Sequence, residues 1–268
     1  MTTLEETKLA KNKNRNLEGK LAIVTGAGRG LGRAMALDMA SRGANIIATY
    51  SNSKSQAEEL VSEIASLDQK AKAVQLNLSS ISNLAAFKEN LAQALEEFGR
   101  KDFDILVNNA GIAGSAVASN MTEEAFDELF TVNVKAVFFL TKELQNHMKE
   151  GGSIINLSSS LTKHSYNFTD YMVYSSTKAA INTLTRDFAV ELGARNIRVN
   201  AVAPGATFTD MTKDFLGDEN ISKQFKGMTA LKRIGQATDI SPVVAFLASD
   251  DSKWVTGEII ETSGGALL

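Results

Sequence analysis

Thr25-Gly-Ala-Gly-Arg-Gly-Leu-Gly32 is the stretch on which the reading of this chain turns. It follows a short apolar run, Leu21–Thr25, and opens a segment of helical spacing, Leu31–Arg42. Glycine lets the backbone turn sharply and approach a ligand closely. A helix start adds free N–H groups at the positive end of its dipole. Strand, glycine turn and helix in that order make a cradle for a pyrophosphate. The spacing is T-G-x-x-x-G-x-G, because Leu31 stands where a G-x-G-x-x-G pattern would end. Close helix–strand packing alone would also account for such a turn.

Working outward, the same alternation fills the chain. Leu21–Thr25, Asn45–Thr49, Ala73–Leu76, Ile105–Asn108, Ile154–Leu157, Arg198–Val202 and Ile259–Glu261 are short, nearly continuous apolar runs. Such runs suit strands covered on both faces. Helical segments are predicted at Leu31–Arg42, Ser55–Ser66, Ile81–Phe98, Thr122–Met148, Ser175–Leu192 and Asp239–Ala248. Thr122 and Thr238-Asp239 are candidate N-caps, and Gly43 and Gly193 stand where left-handed C-caps belong. The alternation predicts one α/β domain over residues 19–268, a doubly wound Rossmann fold with a seven-stranded, mostly parallel sheet. Residues 1–18 read as a polar N-terminal tail. Ala203–Gly235 is the least regular stretch, and a substrate loop is expected there, at about residues 205–235.

Composition narrows the chemistry. The absence of cysteine leaves no disulfide, thiol nucleophile or cysteine metal site. His147 and His164 are the only histidines, so no metal site is expected. A net charge of −3 argues against a nucleic-acid partner. No apolar run is long enough for a membrane span, and the polar start lacks a signal-peptide pattern. A cytoplasmic enzyme of small molecules is the expectation.

The second strand bears on the nucleotide. An acid at its end would bind the adenosine ribose hydroxyls and repel a 2′-phosphate. Here the chain reads Ala48-Thr-Tyr-Ser-Asn-Ser-Lys54, and no acid occurs from Met39 to Ala57. Tyr50, Ser51, Asn52, Ser53 and Lys54, with Arg29 in the glycine loop, suit a phosphate. NADP(H) is favoured, with NAD(H) as the alternative.

Tyr174-Ser-Ser-Thr-Lys178 places a phenol and an ammonium one helical turn apart. A nearby ammonium favours phenolate, so a tyrosine there can exchange a proton at working pH. Alone the pair could be a surface tyrosine and lysine. Upstream, Gly152-Ser-Ile-Ile-Asn-Leu-Ser-Ser-Ser160 is a strand ending in hydroxyls, at the edge where open α/β sheets bind ligands. Asn108-Asn-Ala-Gly111 closes the fourth strand in the same way, and Asn133 interrupts a helical stretch it does not favour.

Taken in order, these motifs resemble the short-chain dehydrogenase/reductase family from about Leu17 to the C-terminus. Pro204-Gly205 with Thr209, Val255-Thr-Gly257 and Gly264-Gly265 complete the set. The chain broadly resembles 3-oxoacyl carrier-protein reductase-like and glucose dehydrogenase-like members. The resemblance implies that Tyr174 is the general acid in reduction, that Lys178 lowers its pKa and holds the nicotinamide ribose, and that Ser159 polarises the carbonyl. Ser158 and Ser160 are the alternatives to Ser159, which lies fifteen residues before Tyr174, a longer interval than the family usually shows. Asn133 would hold a water linking Lys178 to solvent. Cofactor contacts are implied for Gly26, Arg29, Gly30, Leu31, Gly32, Asn77, Leu78, Asn109, Ala110, Gly111, Pro204, Gly205, Thr207 and Thr209, besides the second-strand residues. Two positions depart from the family. Asn77 replaces an aspartate that meets adenine, and Ser263 replaces an aspartate near the C-terminus, where packing is the expected consequence.

The substrate pocket is expected from Ile112–Ser115, Ser160–Tyr171 and Ala206–Met228, with Phe168, Met172, Phe208, Met211 and Phe215 as an apolar wall. No arginine cluster marks an anionic substrate, so a neutral carbonyl or secondary alcohol, or a carrier-borne acyl chain, is expected. The leading reading is an NADP(H)-dependent carbonyl reductase. The alternatives are an NAD-dependent alcohol or sugar dehydrogenase and a non-catalytic NADP-binding regulator. Resemblance also implies a homotetramer.

Overall fold

The computed structural model describes residues 15–164 and 169–268. The chain runs β1 (Leu21–Val24), α1 (Gly30–Ser41), β2 (Asn45–Tyr50), α2 (Lys54–Ala65), β3 (Ala71–Gln75), α3 (Asn83–Glu97) and β4 (Phe103–Asn108). It continues through α4 (Glu123–Phe130), α5 (Ala136–Leu144), β5 (Met148–Leu157), α6 (Met172–Leu192), β6 (Arg198–Pro204) and β7 (Thr207–Phe208). The last elements are α7 (Lys213–Leu216), α8 (Glu219–Met228), β8 (Gly235–Gln236), α9 (Ala237–Ala248) and β9 (Ile259–Thr262). Seven strands form one sheet in the order β3-β2-β1-β4-β5-β6-β9, with every neighbouring pair parallel. This is the doubly wound α/β fold the alternation predicts.

Strand residues alternate between two cores because successive side chains leave opposite faces. Leu21, Ile23, Ile47, Leu106, Ile154 and Val199 pack with Phe87 and Leu91 of α3, Leu140 of α5 and Phe188 of α6. Ala22, Val24, Ile46, Ala48, Ile105, Val107 and Ile155 pack with Met35 and Met39 of α1, Leu60 of α2 and Val244 of α9. Being covered on both sides, the strands have no polar face, and their sequences accordingly show no alternation.

Several local expectations are corrected. Thr122–Met148 is not one helix: α4 ends at Phe130, a π-helical turn spans Thr131–Lys135, and Met148 already begins β5. Thr122 does cap α4, accepting from the Ala125 N–H at 3.2 Å. At the start of α9 the cap is Gln236, paired reciprocally with Asp239, so Thr238 lies inside the helix. Gly43 is left-handed at φ 101°, but Gly193 is right-handed at φ −58° and Asn196 takes the left-handed position. Residues 15–18, assigned to the tail, are packed in part: Leu17 is fully buried and its N–H donates to the Arg42 carbonyl at 3.0 Å. The remainder of the tail reading lies outside the described residues.

Ala203–Gly235 holds more structure than its composition suggests. β7 and β8 pair as a parallel ribbon, and Asp218 caps α8 by accepting from the Ile221 N–H at 2.9 Å. Leu216, Phe225, Ile234 and Ala266 form a small core of their own beneath the loop.

Candidate active site

The sheet order reverses between β1 and β4, and the chain leaves both strands at their carboxyl ends into one cleft of about 790 Å³. Open α/β sheets bind ligands at such a switch point. Along one wall the glycine turn is held by the fourth strand. Asn109 Nδ2 donates to the Thr25 and Gly26 carbonyls at 2.7 and 3.2 Å, and the Asn109 and Ala110 N–H groups both reach Thr25 Oγ1 at 2.9 Å. Gly26 and Gly30 are left-handed at φ 64° and 55°. A Cβ on Gly32 would stand 2.3 Å from the Gly26 carbonyl oxygen, so no side chain fits there. The loop is thus fixed as a bare surface at the start of α1.

Gly26, Arg29, Gly30, Leu31 and Gly32 line this cleft, as do Tyr50, Ser51, Asn52, Ser53, Asn77, Leu78, Asn109, Ala110 and Gly111. So do Pro204, Gly205, Thr207 and Thr209 at the other end. Arg29 is exposed, whereas Lys54, the second expected cation, lies 3.5 Å from Glu58 on its own helix and does not border the cleft. Asn77 Oδ1 accepts from the Ser79 N–H at 2.9 Å, which fixes the turn after β3. Ser263 contributes to packing: its Cα would lie 2.7 Å from a Cβ on Gly205, and its hydroxyl donates to Glu261 at 2.5 Å.

Tyr174 lies in the first turn of α6, half-buried, with a hydrogen bond between its phenol and the Ser159 hydroxyl. Burial is the largest influence on the phenol and pushes it up to about 12. The Ser159 bond pulls it part of the way back, and Tyr171 adds to the rise. The expected lowering by Lys178 is not among the influences on the phenol, whose pKa is raised instead. The Lys178 Nζ is 5.7 Å from the centre of the Tyr174 ring and donates to the Leu157 carbonyl at 2.8 Å. Burial lowers that ammonium to about 8. Phenol and ammonium are both protonated at neutral pH.

The structure separates the three serines. Ser158 also borders the cleft, but its hydroxyl donates to Asn182 Oδ1 at 2.6 Å. Ser160 is buried within a short helical turn, although it borders the cleft. Ser159 alone of the three has a hydrogen bond to Tyr174 among those described. Asn133 does not border the cleft. It sits in the π-helical turn, buried, and grips Ile112 from both sides: Oδ1 accepts from the Ile112 N–H and Nδ2 donates to its carbonyl, each at 2.9 Å. The extra residue in that turn explains why a poor helix former interrupts a helix here. Asn133→Ala would leave both Ile112 groups without these partners, and we expect it to cost about 2 kcal/mol, read from the denaturant midpoint.

The apolar wall is partly as expected. Met211 and Phe215 line the cleft, whereas Met172 and Phe208 are exposed and do not. Phe168 lies outside the described residues. Tyr171 lines the cleft edge-on to Tyr174 at 6.4 Å. Its segment is tied to the loop after β4 by Ser115 Oγ donating to Asp170 Oδ2 at 2.5 Å. Sequence reasoning missed Gln56, Ser79, Glu128 and Val132 as lining residues. Gln56 and Glu128 come from helices with no motif of their own, whereas Ser79 directly follows Asn77-Leu78 and Val132 directly precedes Asn133, positions the sequence does mark. Among the described residues no group of acids and histidines could hold a metal, and no helix is long and apolar enough to cross a membrane.

Comparison with known proteins gives the same assignment. A family model described as Enoyl-(Acyl carrier protein) reductase matches residues 26–266. Versicolorin reductase of Emericella nidulans is 38% identical over 268 residues, covering 96% of this chain and 99% of that protein. A probable tetrahydroxynaphthalene reductase of Zymoseptoria tritici is 37% identical, covering 94% and 96%. The crystal structure of the angucycline C-6 ketoreductase LanV with bound NADP superposes with a TM-score of 0.89 at 36% identity, covering 94% of this chain and 97% of that one. With its seven-stranded sheet, its glycine turn and a tyrosine, lysine and serine at one cleft, the chain belongs to the short-chain dehydrogenase/reductase family.

Proposed function

We propose that this protein is an NADP(H)-dependent carbonyl reductase that converts a ketone to a secondary alcohol. The observation that carries the reading is the Tyr174 phenol, protonated at neutral pH, hydrogen-bonded to Ser159 above a buried ammonium. The residues present fit a phosphorylated dinucleotide. The glycine turn offers bare backbone, Arg29 is exposed beside it, and no acid lies at the end of β2. The bound nicotinamide would supply the hydride.

The chain's own residues handle orientation and the proton. As the carbonyl carbon is reduced, negative charge grows on its oxygen. Tyr174 gives that oxygen its proton, and the Ser159 hydroxyl donates a hydrogen bond to it. The Lys178 ammonium stabilises the phenolate left behind, because opposite charge in a low-dielectric site is strongly felt. Gly111 lies between Asn133 and Lys178: a Cβ on it would be 3.0 Å from Asn133 Oδ1 and 3.5 Å from Lys178 Nζ. Lys178 then passes a proton to the Tyr174 phenolate, and we assign Asn133 to positioning this wall and to holding a water that returns a proton from solvent to Lys178.

Two finer readings go with this one. The relatives named as versicolorin, tetrahydroxynaphthalene and angucycline reductases support a cyclic ketone as substrate. Exposed Phe126, Phe138 and Val190 on α4, α5 and α6 support pairing of those helices in a homotetramer, which sedimentation would test. The reductase reading is tested by following NADPH with a panel of cyclic ketones. Turnover on at least one, with NADPH preferred to NADH, is expected. NADPH binding without turnover across the panel would favour the regulator.

A further inference from the structure

Gln56 belongs to no motif, yet it borders the cleft at the end formed by Arg29 and Tyr50–Ser53. It stands in the first turn of α2, beneath the glycine turn: a Cβ on Gly28 would lie 3.4 Å from Gln56 Cβ. Its Oε1 is enclosed and has no hydrogen-bond partner among the described residues. A buried polar atom without a partner needs a physical account, and a ligand that completes it is one. The neighbourhood narrows the ligand. Lys54 does not border the cleft, and the Ser51 carbonyl, although Ser51 lines the cleft, already accepts from Gln75 Nε2 at 3.0 Å. Arg29 is the cation that lines this end.

We propose that Gln56 is a specificity-determining residue of the dinucleotide site, reading the 2′-phosphorylated adenosine ribose. An amide has both an acceptor and two donors. Once the amide turns from its enclosed position toward the cleft it borders, Oε1 can accept from a ribose hydroxyl while Nε2 donates to the phosphate. A glutamate of the same shape would accept from the hydroxyl but repel the phosphate, which is the discrimination that an acid after β2 makes. Gln56 therefore lets one position hold the ribose without rejecting its phosphate. Arg29 supplies the charge and Gln56 the hydrogen bonds. This inference rests on the NADP(H) reading above and adds a residue to it.

The test uses the full chain and two probes, adenosine 2′,5′-bisphosphate and adenosine 5′-monophosphate, titrated by calorimetry. Gln56→Glu is the informative variant. An acid in the first turn suits the helix dipole, so α2 should fold unchanged. The wild type is expected to bind the bisphosphate at least about tenfold more tightly, and Gln56→Glu to remove about tenfold of that preference while binding of the monophosphate stays within about twofold. Lys54→Ala should leave both affinities within about twofold, since Lys54 does not border the cleft. If the wild type shows no preference for the bisphosphate, the NADP(H) reading itself fails. If that preference is present and Gln56→Glu leaves it intact, the role of Gln56 is overturned and the NADP(H) reading stands.

Discussion

Tyr174→Phe should reduce ketone reduction by about a thousandfold or more, with NADPH binding unchanged. The substitution removes one hydroxyl and keeps the ring, so its edge-on contact with Tyr171 survives. What is lost is the proton. In the wild type the phenol is held protonated by burial, up to about 12, so the acid form dominates across the neutral range. Ser159 can still donate a hydrogen bond to the carbonyl oxygen, but the serine hydroxyl is too weak an acid to replace the phenol. The expected pattern is a fall in kcat with the affinity for NADPH, measured by fluorescence titration, staying within about twofold. Retention of near-full activity would remove Tyr174 from the mechanism.

Lys178→Met should lower activity by about a hundredfold or more and, at the same time, raise stability at neutral pH. The two effects have one cause. Burial lowers the ammonium from 10.5 to about 8, so the folded state holds that charge at a cost. Its hydrogen bond to the Leu157 carbonyl at 2.8 Å recovers only part of it. The direction with pH follows from which state binds the proton more tightly. Between pH 8 and 10.5 the unfolded chain still holds the proton and the folded chain has released it, so wild-type stability rises with pH across that window. The methionine variant has no such titration. Its advantage over the wild type, read from urea midpoints, should therefore be greatest at pH 7 and shrink by about 3 kcal/mol as pH rises through the window. An advantage that stayed constant with pH would show that Lys178 is not a desolvated charge.

Those two residues were legible because their spacing is helical and their chemistry is specific. The strands were legible for a related reason. Runs such as Ala22–Val24 and Ile105–Val107 are apolar on both faces, and only a covered sheet buries both. Local signals carried less where a tertiary contact decides the outcome. The break at Thr131–Lys135 depends on Asn133 gripping Ile112, which lies 21 residues away in sequence. The direction of the Tyr174 shift depends on how deeply the phenol is enclosed, and a Tyr–Lys spacing does not carry that information. Lys54 suits a phosphate by residue type, but its ammonium pairs with Glu58 one helical turn on and lies outside the cleft, which the run after β2 alone does not reveal. Two helices in Ala203–Gly235 were hidden by the small core that supports them, since Leu216, Phe225, Ile234 and Ala266 are scattered in sequence.

The central claim is that the cleft binds a 2′-phosphorylated nicotinamide cofactor and uses it to reduce a carbonyl. The most direct measurement is a steady-state assay of the wild-type chain with NADPH and NADH against a panel of cyclic ketones. The account predicts turnover, with kcat/KM for NADPH at least about tenfold above that for NADH. Preference for NADH by about the same factor would contradict the reading of Arg29 and the second strand, and the absence of turnover with either cofactor would contradict the catalytic assignment.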